Sequence, residues 1–265
     1  MKSQRSVTSP LASRISVFFI VSGILSLVFS IYSTSQIFAL IGLGLVFWGA
    51  LFVLMRPLKL VEATLLYNTS ISTYLTTDRM INDLSYNGKA YYIPPYPEDV
   101  YIPEYLKGLK ASVVFISAKD DGKLPSIEEM AKGKFLSKDK KGVLLAPPGL
   151  GILTQIEDKT KTNFAGIGLD KLIDILPTFI LQDLSLAKDL TMELDGEKIH
   201  LTLIGSLYKN LYRSENNLKS IDFLGCPIVS AVACAIAKNS GRPVTIQKIE
   251  LSQEDLDLHV WYQIL

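Results

Sequence analysis

The stretch GCPIVSAVACAIAKNSGRPVTI, Gly225–Ile246, decides the fold. Pro227 suits the first position of a helix, where its missing N–H costs nothing. Gly241 suits the left-handed stop at the other end. Between them the spacing predicts a helix over about Ile228–Asn239. Ala231, Ala233, Cys234, Ala235 and Ala237 make it a helix of small residues, able to press closely on a sheet. The β-rich run PVTIQKIEL that follows, Pro243–Leu251, reads as a strand of that sheet.

The same stretch holds the only two cysteines. Eight residues apart on one helix, their Cα atoms would be roughly 12 Å apart at 1.5 Å per residue. That is too far for a disulfide and unlike a zinc knuckle. Cys234 reads as a small apolar packing residue. Cys226 stands at the helix start, where unpaired amides and the dipole favour thiolate, and is a candidate ligand-binding residue.

Working outward, LDLHVWYQI (Leu256–Ile264) reads as a closing strand, and TMELDGEKIHLTLIGSLY (Thr191–Tyr208) as a hairpin about Asp195-Gly196. GLDKLIDILPTFILQDLSLAKDL (Gly168–Leu190) is amphipathic, with Pro177 bending it or starting a second segment. KGVLLAPPGLGILTQIEDKT (Lys141–Thr160) reads as strand, turn and short helix. Its glycines lack the lysine of a phosphate loop and the third glycine of a dinucleotide fingerprint. ASVVFISAK (Ala111–Lys119) is another strand, and Pro57–Leu84 keeps a helical rhythm. The expected fold class is α+β, with a mainly antiparallel sheet packed with helices.

Hydrophobic residues make up 48% of the 265, beside 20% charged ones. A local run explains the excess. Ile15–Met55 contains no Asp, Glu, Lys, Arg or His. Its two apolar halves, 15–32 and 37–55, are each long enough to cross a hydrocarbon core, which takes about 20 residues, and the short STSQ between them makes a turn. This predicts a transmembrane helical hairpin, with Lys2, Arg5, Arg14, Arg56 and Lys59 placing both termini in the cytoplasm. Expected domains are a tail and hairpin (1–56), a juxtamembrane helix (57–85) and a cytoplasmic α+β domain (86–265). Ser22, Ser26 and Ser30 share one helix face, and Gly42, Gly44 and Gly49 lie in the second helix; such residues pack a hairpin on itself or join copies of it.

Beyond Arg56 lie all 26 acidic residues against 23 of the 27 basic ones, a formal −3. That argues against nucleic acid as a partner, which needs a concentrated basic face. Two segments stand out. YNGKAYYIPPYPEDVYIPEYL (Tyr86–Leu106), rich in tyrosine and proline, reads as an extended segment with little regular structure, and Tyr92, Tyr96 and Tyr101 are candidate ligand-binding residues unless they merely cover a core edge. Lys132, Lys134, Lys138, Lys140 and Lys141 crowd one loop, either solvated or touching anionic headgroups. His200 and His259 are the only histidines, and no metal-ligand spacing surrounds them. Ser206, His200 and Asp195 share one hairpin, which gives no triad pattern. No catalytic residue, metal or cofactor is expected.

The CPIVSAVACAIAKNSGRPVTIQ segment, the terminal HVWYQI and the YIPP segment at Tyr92–Pro95 are similar to a family of uncharacterised archaeal membrane proteins. That resemblance implies an N-terminal two-helix hairpin and a cytoplasmic α/β domain, with no established activity. Cys226–Ile264 also resembles the 4-vinyl reductase-like small-molecule-binding domain. There a small-residue helix leads through Gly-Arg to two final strands. This implies an apolar ligand pocket. The metal site of that domain does not carry over, because Leu251 and Leu258 stand where it often places cysteines. The function expected is a membrane-anchored, non-enzymatic ligand- or partner-binding domain. Its partners would be the lipid bilayer and a further copy or membrane-complex subunit. Alternatives are an enzyme acting on a lipid or membrane-proximal substrate, or a scaffold subunit of a membrane complex.

Overall fold

The computed structural model describes residues 10–33, 35–54, 62–96, 110–119, 124–137, 141–252 and 257–265. The chain forms two compact units, Met1–Val61 and Glu62–Leu265.

The first unit is a helical hairpin, α1 (Pro10–Ser33) and α2 (Gln36–Leu54). Glycines set its contact. A side chain at Gly23 would collide with Val46 and the Gly42 carbonyl, and one at Gly49 with Ile20. Gly44 faces open space. The Ser26 hydroxyl donates across the pair to the Phe38 carbonyl at 3.0 Å. The small residues therefore pack the hairpin on itself. Phe18, Leu25, Ile37, Leu40, Leu43 and Phe47 face outward. Among the described residues no helix is long and apolar enough to cross a membrane. The expected transmembrane hairpin, the cell-membrane location and the cytoplasmic orientation built on it are corrected accordingly: what is found is a helical hairpin.

The second unit is α+β. A seven-stranded sheet runs in the order β3-β2-β1-β6-β7-β5-β4. Its strands are β1 (Ala90–Ile93), β2 (Val113–Ser117), β3 (Gly142–Leu145), β4 (Asp189–Asp195), β5 (Lys198–Ile204), β6 (Val244–Leu251) and β7 (Leu258–Ile264). Every pairing is antiparallel. Helices α3 (Ala63–Leu84), α5 (Leu150–Thr160), α6 (Leu169–Thr178), the single turn α7 (Ile221–Leu224) and α8 (Pro227–Ser240) contribute to the main core, with α8 buried from Pro227 to Ala237. Gly241, with φ of +66°, ends α8 as a left-handed cap.

Close approach explains the small residues of α8. A side chain at Gly149 would strike the backbone of Pro227 and Ala231. The Gly149 amide donates to the buried Ser230 hydroxyl at 3.0 Å. The first turn of α5 thus sits directly on α8.

Among the described residues, the opposite face of the sheet is covered on one half only. A short helix, α4 (Ile127–Ala131), lies near β1 and β2. Its Met130 and Ala131 form a second small core with Tyr91, Ile93 and Phe115. Strand β1 was expected to be irregular, as part of a tyrosine- and proline-rich segment. It pairs on both sides, and all four of its residues are buried.

Candidate functional site

The candidate residues Cys226 and Tyr92 meet, within the main core. Cys226 is the N-cap of α8. Four phenols surround the chain there. Tyr92 of β1 donates to the Leu224 carbonyl at 2.5 Å, and Tyr74 of α3 to that of Gly225 at 2.7 Å. Tyr262 of β7 donates to the Val229 carbonyl at 3.0 Å. The Tyr212 hydroxyl accepts the Cys226 amide at 2.7 Å. Burial drives all four phenols well above their ordinary pKa. It also raises the Cys226 thiol, opposed by hydrogen bonds from the Val229 amide, the Tyr212 hydroxyl and the Ile228 amide. Burial alone raises Cys234. Both thiols are free and buried. Neutral phenols and thiols, each phenol hydroxyl in a backbone hydrogen bond, make a rigid clamp on the entry to α8.

The other described candidates stand apart from this cluster. Tyr96 is exposed. Lys132, Lys134 and Lys141 are exposed in the loops around β3. Tyr101, Lys138 and Lys140 lie outside the described residues. The Ser206 hydroxyl accepts the Tyr208 amide at 3.1 Å, while His200 packs on aromatic rings, so the hairpin assembles no triad. Among the described residues no group of histidines, cysteines and carboxylates is placed to hold a metal.

The open half of the sheet holds a constellation that sequence reasoning missed. Register builds it in cross-strand rows. One row runs Glu193, His200, Trp261, Lys248; the next runs Thr191, Thr202, His259, Glu250; a third carries Lys198, Gln263 and Thr245. Alternation puts these side chains on the face opposite Tyr262 and Val260, which are buried in the core. The rings of His200 and Trp261 stack at 4.8 Å with 20° between planes, and those of His200 and His259 at 5.6 Å with 12°. The Lys248 ammonium stands 5.7 Å from the indole centre, within cation–π reach, and also pairs with the Glu250 carboxylate. Thr202 Oγ1 lies 3.3 Å from His259 Nδ1. His200 Nδ1 is 3.9 Å from the Glu193 carboxylate. Its Nε2 is buried with no hydrogen-bond partner among the described residues.

A bulge re-aims this surface. Ile246 pairs with Tyr262 and Lys248 with Trp261, which leaves Gln247 as the extra residue. Bulges bend a strand locally and recur beside functional sites. Here the bulge borders a groove of about 560 Å³ lined by Lys198, Gln247, Lys248, Trp261, Tyr262 and Gln263. Volumes of this order accommodate small ligands. The only sequence signal was the unusual polar face of two alternating strands: Lys198, His200 and Thr202 in one, His259, Trp261 and Gln263 in the other.

A family model described as a domain of unknown function, DUF7982, matches residues 4–263, so the chain belongs to that family. No curated protein and no solved structure matches it.

Proposed function

We propose that this member of the DUF7982 family is a non-enzymatic small-molecule-binding module whose binding surface is the open half of its sheet, centred on Trp261. The observation that carries this reading is the groove of about 560 Å³ beside the bulge at Gln247, walled by the indole and two lysines. The rest of that face is treated differently. Over β1 and β2 it is sealed by Met130 and Ala131 of α4. Over β5, β6 and β7 a tryptophan, two histidines and two lysines stand uncovered or half-covered. The buried Nε2 of His200, which has no hydrogen-bond partner among the described residues, also supports the reading, since native folds keep few such atoms and each calls for a reason. The groups lining the groove are cations, carboxamides and an aromatic ring, which recognise ligands. The likeness of Cys226–Ile264 to the 4-vinyl reductase-like domain points the same way, toward small-molecule binding.

The test is a fragment screen by ligand-observed NMR on the full chain and on Trp261→Ala. Most binders of the wild type should be lost in the variant while its melting temperature holds within a few degrees. If binders survive the substitution unchanged, the ligand site lies elsewhere and the proposal fails.

A further inference from the structure

Resting on that reading, we infer that the groove takes an amphiphilic organic anion: a compact apolar or aromatic body with a carboxylate or phosphate at one end. The argument comes from how the lining residues divide. A lysine offers four methylenes before its charge, so it lines a groove with apolar stem and carries its ammonium to the rim. Lys198 and Lys248 line the groove together with Trp261, so methylene stems and the indole supply apolar wall and the two ammonium groups supply the charge. The interior of the groove is therefore mainly apolar, and its rim is cationic. Gln247 and Gln263 add carboxamides. The Gln263 amide nitrogen already donates to the Ile264 carbonyl at 2.9 Å, which fixes that side chain.

The two cations are not equivalent. Lys248 is shared between the Glu250 carboxylate and the indole face. Lys198 makes no ion pair among the described residues. Its neighbour Glu197 is engaged elsewhere, with Arg242 at 2.7 Å. The uncommitted charge at the rim is thus Lys198, and an incoming anion goes there first. Glu250 acts as a built-in competitor for the second lysine. Of the carboxylates of this face, Glu193 and Asp195 lie on β4, with Asp195 cross-strand from Lys198 but in no ion pair with it, and Glu250 lies on β6; among the described residues that line the groove there is none. A neutral ligand would leave Lys198 without a partner. A cationic one would meet it directly.

The experiment compares four probes on the full chain by NMR titration at low salt: benzoate, phenyl phosphate, benzamide and benzylamine. Both anions should bind at least tenfold more tightly than benzamide, with benzylamine weakest. Lys198→Gln should lose most of the anion preference, lowering benzoate affinity far more than benzamide affinity. Glu250→Gln should tighten benzoate binding several-fold by freeing Lys248. Added salt should erode the preference, since exposed charges are screened. Equal affinity for benzoate and benzamide, both abolished by Trp261→Ala, would overturn the anion assignment and leave the platform standing. Anion binding insensitive to Lys198→Gln would also overturn it. Failure of all four probes to bind would overturn the anion assignment, and fragment hits insensitive to Trp261→Ala would sink the underlying reading instead.

Discussion

Trp261 and Tyr262 are adjacent in β7 and serve opposite faces of the sheet. Tyr262 is fully buried and donates to the Val229 carbonyl of α8 at 3.0 Å. Trp261 stacks on His200 at 4.8 Å on the open side. The two-residue period of a strand separates stability from binding at neighbouring positions. Tyr262→Phe should cost about 0.5–1.5 kcal/mol, the net value of one hydrogen bond, and leave ligand binding intact. Trp261→Ala should do the reverse. Denaturant titration beside a binding isotherm checks both.

The contact of α5 with α8 tolerates no added atom. Gly149→Ala would place a methyl against the backbone of Pro227 and Ala231, and backbone cannot step aside as a flexible side chain does. A loss of about 1–3 kcal/mol or more is expected, as for overpacked cores. Ser230→Ala should cost about 1–3 kcal/mol by stranding the buried Gly149 amide. Thermal melts of both variants are the measurement, and an unchanged Gly149→Ala midpoint would show that the helices are not packed this closely.

The two thiols should differ in rate while both remain slow. Cys226 is buried, but amides and a phenol hydroxyl stabilise its thiolate; Cys234 has burial alone. Alkylation of the folded protein should be much slower than in denaturant, with Cys226 reacting before Cys234. No disulfide should join them. A bulky residue at Cys234 should destabilise by about 1–3 kcal/mol through overpacking. Equal labelling rates in the folded state would contradict the hydrogen bonding at the α8 entry.

An acid-limb stability profile tests the helix-entry electrostatics. Burial, and secondly the Asp78 carboxylate, raise the Asp222 carboxyl above its ordinary value of 3.8. Asp78 is held close because it accepts the Lys219 and Ser220 amides at 3.0 and 2.7 Å. A raised carboxyl means that the folded state binds more protons than the unfolded one over that window. Stability then falls as pH rises from about 3.8 through the folded value. Asp222→Asn removes that penalty. It should be modestly more stable than wild type at neutral pH, with the gain fading in acid. A gain that persists unchanged below pH 3.8 would assign it to another cause.

Much of this fold was legible in the sequence because its periodicities are local. The helix after Cys226, the hairpin at Asp195-Gly196 and the closing strand all follow from spacing and stop residues. Strand β1 was not legible. It is buried on both faces and so lacks alternation, and the prolines after Ile93 suggested irregular chain. The helical hairpin was legible, whereas a membrane crossing is not supported by the helices described. The clamp on α8 was hidden because Tyr74 meets Gly225 across 151 residues. The open platform was hidden for the same reason. His200, Lys248 and Trp261 are neighbours only through register, and the bulge at Gln247 has no sequence signature.

The central claim, that ligands bind on the open half of the sheet, is tested most directly by chemical-shift mapping with phenyl phosphate on the full chain. The indole N–H of Trp261 and the side-chain amides of Gln247 and Gln263 should shift together and saturate, while the indole N–H of Trp48 in α2 stays fixed. Shifts confined to other residues, with Trp261 unmoved at saturation, would contradict the account.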